Sequence, residues 1–345
     1  MPVPMPSSKR VEASTDGVLA ALADHPALGR DRQASLFDRL EWIAPLHALC
    51  MPEAPARVAH ARCDDGEGWL FLADHGRGQL SAIANYYSFA ARPVFAGAPA
   101  PEARSRLVEA MARTLGHDAA HVDLYPVTAE DGDRDLLVGA FRRAGWVALA
   151  RAMGINHRLC LSGRDFAAYW AGRPGRLRST VRRKMRDTPF TFSIHDTISD
   201  ALWADYVDVY ARSWKPDEPG LPFLKTIATQ ESAAGTLRLG LARRDGRAVA
   251  AQLWTVENGL ALIHKLAHDV DEDAASPGTL LSYQLFRHAI DVDGVMEIDY
   301  GTGDNPYKAD WMETRRTLYR VDAFNPRFMS AWLPAARAIL SGVRG

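Results

Sequence analysis

The sequence predicts an α/β protein with mixed sheets, built as two tandem domains. Each domain is a three-strand antiparallel meander followed by a βαβ crossover. Three observations lead there. Alternating apolar runs at Leu237–Leu241, Val249–Val256 and Leu260–Ala267 are joined by the turn pairs Asp245–Gly246 and Asn258–Gly259, a hairpin signature. The helical run SPGTLLSYQLFRHAI then leads into a second apolar strand, VMEIDY, the order of a right-handed parallel crossover. The N-terminal half repeats this order.

In the C-terminal half, Phe190–His195 alternates as a first strand, and Ser199 caps a helix reaching Trp214. A second helix covers Leu221–Ala234. After the crossover come the glycine-rich turn GTGDNPYK, a short helix and a last strand, TLYRV. In the N-terminal half, a helix at Ala34–Leu49 precedes strands at Arg57–Cys63, Trp69–Ala73 and Gln79–Tyr87, with turns at Asp65–Gly66 and Gly76/Gly78. A helix at Pro101–Leu115, a strand at Val122–Val127, a helix at Arg134–Ala144 and a strand from Trp146 follow. The expected division is a flexible segment over 1–33, a domain over 34–160, a basic helical connector over 161–189 and a domain over 190–345.

A net charge of −1 argues against a chain-wide electrostatic grip on nucleic acid, so any basic surface is local. Cys50, Cys63 and Cys160 share no ligand spacing and read as thiols in a reducing compartment. No apolar run reaches the ~18 residues of a membrane span, and the polar, proline-rich start carries no signal-like apolar core. A cytoplasmic protein is expected. His264 and His268 fall on a strand, where four residues span ~13 Å, so they do not share an ion. Asp269, Asp271 and Asp273 begin like a calcium loop, but Ala274 and Leu280 stand where glycine and glutamate are needed. No metal is expected.

The order of elements, with SPGTLL (276–281) followed by IDYGTGDNPYK (298–308), resembles the GNAT N-acyltransferase superfamily. Within it, the chain resembles the BioF-like/CelD-type acetyltransferases related to FemAB peptidyltransferases, which are also built from two such domains. The resemblance implies acyl transfer from acetyl-CoA or another acyl-CoA to an amine, on a small molecule, a sugar or an envelope-polysaccharide conjugate. FemAB relatives take aminoacyl-tRNA instead. Typical members carry an Arg/Gln-x-x-Gly-x-Gly/Ala run for the pyrophosphate. Here only Gly278 remains, and Asp269, Asp271, Glu272 and Asp273 stand before it.

Site residues follow from chemistry. Acyl transfer to an amine needs an acceptor for the amine proton, support for the oxyanion and a proton for the leaving group. Asp299 or Glu297 serves the first need through water, Tyr307 the last, and Lys308 holds a phosphate or the oxyanion. The bland alternative is a glycine turn with a solvated lysine and a packed tyrosine. Ser276, Gly278 and Thr279 open a helix whose free amides suit a phosphate, or simply cap it. A backbone amide near Leu266, Ala267 and His268 faces the acyl carbonyl.

The connector GRLRSTVRRKMRD places Leu177, Val181 and Met185 on one stripe and Arg178, Arg182 and Arg186 beside it. Seven basic residues between Arg173 and Arg186 meet no acid before Asp187. That suits a polyphosphate, tRNA or anionic glycan, or a solvated interdomain helix. Arg178, Arg182, Trp214, Lys215, His264 and Gly303 are the candidate substrate contacts. A non-catalytic shell that binds an anionic polymer stays open as a third reading.

Overall fold

The structure, a computed structural model, describes residues 11–342 except Val18. Packing divides the chain into two compact units, Met1–Gly154 with Thr317–Gly345, and Ile155–Arg316. Both carry the expected meander and crossover.

The first unit contains β1 (Glu12–Gly17), α1 (Leu40–Cys50), β2 (Ala56–Cys63), β3 (Gly66–Asp74), β4 (Gln79–Ala82), β5 (Val94–Ala96), α2 (Pro101–Leu115), β6 (His121–Val127) and α3 (Asp133–Arg143). The strands β2, β3 and β4 pair antiparallel. The chain then crosses through α2 so that β6 lies parallel to β4. Leu107 and Met111 of α2 and Phe141 of α3 meet Leu70, Leu72 and Val122 in one core. Of the segment expected to be flexible, residues 1–10 lie outside the described residues. Beyond them β1 pairs with β2, and Leu28 is fully buried.

The second unit holds α4 (Phe166–Ala171), α5 (Gly175–Arg186), β8 (Thr191–His195), α6 (Asp200–Ala211), α7 (Leu221–Ala233), β9 (Leu237–Arg244), β10 (Arg247–Glu257), β11 (Leu260–His268), α8 (Pro277–Asp291), β12 (Glu297–Thr302) and α9 (Pro306–Trp311). Antiparallel pairs join β8, β9, β10 and β11, and α8 returns the chain so that β12 runs parallel to β11. Gly240 of β9 lies under α8: a Cβ there would come within 2.7 Å of Leu285. Its neighbours Leu239 and Leu241 are buried on the opposite face, where α6 and α7 pack. The basic helix α5 is part of this unit and inserts Leu177 and Val181 into the core beside α8.

Two long strands, β7 (Val147–Cys160) and β13 (Thr314–Phe324), straddle the division. The first unit is closed by the end of the chain, because Tyr319–Phe324 pairs with β6. The second is closed by Asn156–Cys160 of β7, which pairs with β12. The run TLYRV therefore does not complete the second crossover as its sequence position suggests. Side-chain alternation sets which face of a strand is buried, not which sheet edge receives it. A final helix, α10 (Trp332–Gly342), follows β13.

Gly78 anchors the first crossover. Its φ is +72°, its carbonyl accepts from the amides of Ala120 and His121, and a Cβ would lie 2.8 Å from backbone atoms of Asp118 and Ala120. Gly78→Ala is expected to cost ~1–3 kcal/mol from backbone strain, read as a lower denaturation midpoint with an unchanged slope.

Candidate active site

The parallel pairing of β11 with β12 lasts three residues: Leu260, Ala261 and Leu262 against Glu297, Ile298 and Asp299. Beyond Leu262 the strands part. Asp269 donates its amide to Val249 of β10 at 2.9 Å, and antiparallel amides alternate in direction along a strand. The amides of Ala267 and Lys265 therefore face β10, whereas those of Leu266 and His268 face the gap. These are donors without a strand partner, aimed where a carbonyl oxygen could lie.

The far side of the gap is the end of β12. Gly301 takes φ +69°, breaking the register between β12 and β7. The buried ammonium of Lys308 donates to three successive carbonyls, those of Tyr300 (3.0 Å), Gly301 (3.3 Å) and Thr302 (2.7 Å). Its three protons are thus spent. This corrects the expectation of a phosphate or oxyanion ligand: Lys308 holds the turn. Burial pulls its pKa down to about 8, with Asp299 and Asp304 opposing. Asp299 is committed as well. Its carboxylate accepts from Asn156 (2.6 Å), the amide of Gly301 (2.8 Å) and Arg316 (3.3 Å), which leaves it poorly placed to take a proton from an amine. Glu297 is paired with Arg158. Tyr307 differs: its ring is exposed, packed edge-on to Tyr300 at 5.9 Å, and burial of its hydroxyl end raises its pKa. Gly303, at φ +102°, lies exposed in the same turn.

A polar cluster lies on the α6 face. Register shifts between Leu253 and Trp254 of β10, which leaves His264 as an extra residue in β11. The bulge turns two consecutive side chains to one face. His264 bonds Thr255 at 2.9 Å and Lys265 pairs with Glu218, while Ile263 and Leu266 pack in the α8-side core. Burial, then Lys265, lowers the His264 pKa to about 3, so its ring is neutral. Glu218 also accepts from the Tyr210 hydroxyl at 3.2 Å. Lys215, in the loop after α6, places its ammonium 5.6 Å from the Trp214 ring and 5.7 Å from that of Tyr210. Burial foremost, then Lys265, pulls its pKa down to about 8; Glu218 opposes, and Lys308 adds a further push down. Lys215 is thereby within electrostatic reach of both walls of the gap. Glu218, Lys265 and Tyr210 were not singled out from sequence. The signal for Lys265 was present: two adjacent polar residues in an alternating strand mark a bulge.

At the start of α8, Pro277 has no amide hydrogen and Leu280 donates to Ser276, so the amides of Gly278 and Thr279 are the first-turn donors free of helix bonds. The Ser276 hydroxyl does not cap the helix; it accepts from Lys184 of α5. The four carboxylates before the helix are not a bare acidic wall. Asp269 is paired with Arg212, Glu272 with Arg244 at 2.8 Å, and Asp273 with His268 at 2.6 Å. The His268 ring lies against Gly278, 3.0 Å from where a Cβ would sit, and meets the Trp214 ring at a tilt, centroids 4.5 Å apart. On α5, the Arg178 Nε donates to the Arg173 carbonyl at 3.0 Å. At about 100° per residue, Arg176, Arg182, Arg183 and Arg186 share the face opposite Leu177 and Val181, exposed and without a carboxylate partner among the described residues.

The first unit shows the same strand arrangement with a different outcome. There β4 and β6 also pair over three residues, Gln79–Ser81 against His121–Asp123. The following loop then fills the space: the Ala91 amide donates to the Pro126 carbonyl at 2.7 Å. Between Ile83, Ala91 and Leu124 a cavity of ≈ 30 Å³ remains, about the volume of one water.

Residues 175–309 match the acetyltransferase (GNAT) domain family. The matched stretch lies wholly within the second unit. Its fold is similar to that of FemX (TM-score 0.59, 11% identity, 91% of this chain and 98% of that one). It is also similar to a tandem GNAT protein from the clavulanic acid biosynthesis pathway (0.50, 13%, 90% and 98%) and to L-PGS from Bacillus licheniformis (0.51, 13%, 78% and 84%). Among curated proteins none matches the sequence. No helix among the described residues is long and apolar enough to cross a membrane, and no cluster there could hold a metal ion.

Lys308→Met would leave three carbonyls short of a donor and is expected to cost ~1–3 kcal/mol in chemical denaturation. Tyr307→Phe, at an exposed ring, is expected to stay within about 0.5 kcal/mol of the native protein.

Proposed function

We propose that the second unit is an N-acyltransferase that works in the gap between β11 and β12. The observation that carries this is the end of strand pairing at Leu262 with the amides of Leu266 and His268 turned into the opening. An acyl thioester lying there, its phosphates toward Gly278 and Thr279, would offer its carbonyl oxygen to the Leu266 amide. The acceptor amine approaches from the α6 face, bounded by Trp214, Lys215 and His264.

Lys215, rather than Asp299, is the group suited to receive the amine proton. A base must be deprotonated to act, and an amine of pKa about 8 is substantially neutral in mildly alkaline solution. The neutral acceptor attacks the carbonyl carbon, the C–S bond breaks, and Tyr307 protonates the departing thiolate. Solvent resets both residues. The resemblance in sequence points to an acceptor amine on a sugar or envelope-polysaccharide conjugate. The first unit we read as a degenerate copy, its opening occupied by its own loop.

A second reading replaces acyl-CoA with aminoacyl-tRNA. The unpaired arginines of α5 favour it, and FemX is among the folds this chain resembles. Titration calorimetry separates the two readings. Stoichiometric heat from acetyl-CoA without tRNA affinity supports the first. Affinity for tRNA that falls steeply with salt, and that weakens in Arg182→Gln/Arg186→Gln, supports the second.

With acetyl-CoA and a panel of amines, thiol release should rise with pH through about 8. Lys215→Gln should lower it ~10²-fold and abolish that rise. Tyr307→Phe should lower the rate while leaving donor affinity unchanged.

A further inference from the structure

The C-terminal helix α10 is apolar on two sides. Ala331, Ala335 and Ala338 are buried against Phe324 and Leu149. Turning by about 100° per residue, Leu333, Ala336 and Leu340 lie on the opposite side, with Trp332 and Ile339 on the flank that joins it to the buried face. There Leu333 is 60% exposed and Leu340 68%, and Met329 just before the helix is 78% exposed. The Trp332 indole nitrogen donates to the Pro326 carbonyl at 2.9 Å, which satisfies its polar edge and leaves the ring as apolar surface. A contiguous apolar patch of this kind is often an interaction site.

Charge identifies what covers the stripe. After Asp322 the sequence contains no acidic residue, while Arg327, in the turn before the helix, and Arg337, on the helix, are exposed and without a carboxylate partner among the described residues. A convex apolar ridge with arginines along its edges and a tryptophan at one end is the composition of a helix that lies in a membrane interface. Size argues the same way. The stripe offers on the order of 300 Å² for a helix about 16 Å long, well below the roughly 800 Å² that each partner gives to a stable protein interface. Adjoining it is a cavity of ≈ 440 Å³ lined by Trp146, Leu149, Ala338 and Ile339.

We propose that α10 docks the protein on an anionic lipid bilayer, its Trp332–Leu340 stripe in the interface and Arg327 and Arg337 against the headgroups. The test is sedimentation of the full chain with phosphatidylcholine vesicles containing one third phosphatidylglycerol, against pure phosphatidylcholine vesicles. Binding is expected to the anionic vesicles and to fall with salt. Leu333→Glu/Leu340→Glu should weaken it at least about tenfold with an unchanged circular dichroism spectrum, since both side chains are exposed. Arg327→Gln/Arg337→Gln should remove the preference for anionic lipid. Three results overturn the proposal: no partition into either vesicle, equal partition into both, or a concentration-dependent dimer that Leu333→Glu dissolves.

Discussion

A buried ammonium shapes the second unit. Lys308 takes up the carbonyls of Tyr300, Gly301 and Thr302 at the end of β12, just past its last pairing with β11. Asp299, next along β12, fastens the Gly301 amide and so fixes the left-handed residue that bends the strand. On the opposite wall, the His264 bulge in β11 breaks the regular pleat where the strands separate. A buried charge is tolerated only when its hydrogen bonds are met; here three backbone oxygens meet them, and the charges of Asp299 and Asp304 add support. Every later feature, from the exposed amide of Leu266 to the placement of Tyr307, depends on the strands being held apart.

The sequence was informative wherever local chemistry decides the outcome. The turn pairs Asp245–Gly246 and Asn258–Gly259, the proline-started helix at 277 and the apolar stripe of α5 all appear where their residue types put them. It was less informative where roles depend on long-range partners. Lysine and aspartate beside a glycine turn look the same whether they serve catalysis or hold a bend. Only the three carbonyls around Lys308, and Asn156 bonded to a residue 143 positions away, distinguish the two. The Lys265–Glu218 pair was hidden for the same reason, its members being 47 residues apart. The acidic run before α8 looked forbidding in sequence because its arginine and histidine partners come from other elements.

Comparing the two units shows how little separates an open slot from a filled one. Both begin with three parallel pairs. In the first unit the next residues fold back and bond across to Pro126; in the second, β11 continues for six residues past its last partner on β12. The difference is one of loop path, not of sheet topology.

The exchange of closing strands has an architectural consequence. Each half of the polypeptide lends the other its terminal edge, so cutting at the linear midpoint would leave two fragments, each with a bare strand and a piece of its neighbour. Such a protein cannot gain or lose a half by simple fusion or deletion. With the closing strands interlaced in this way, the two units are inherited as one.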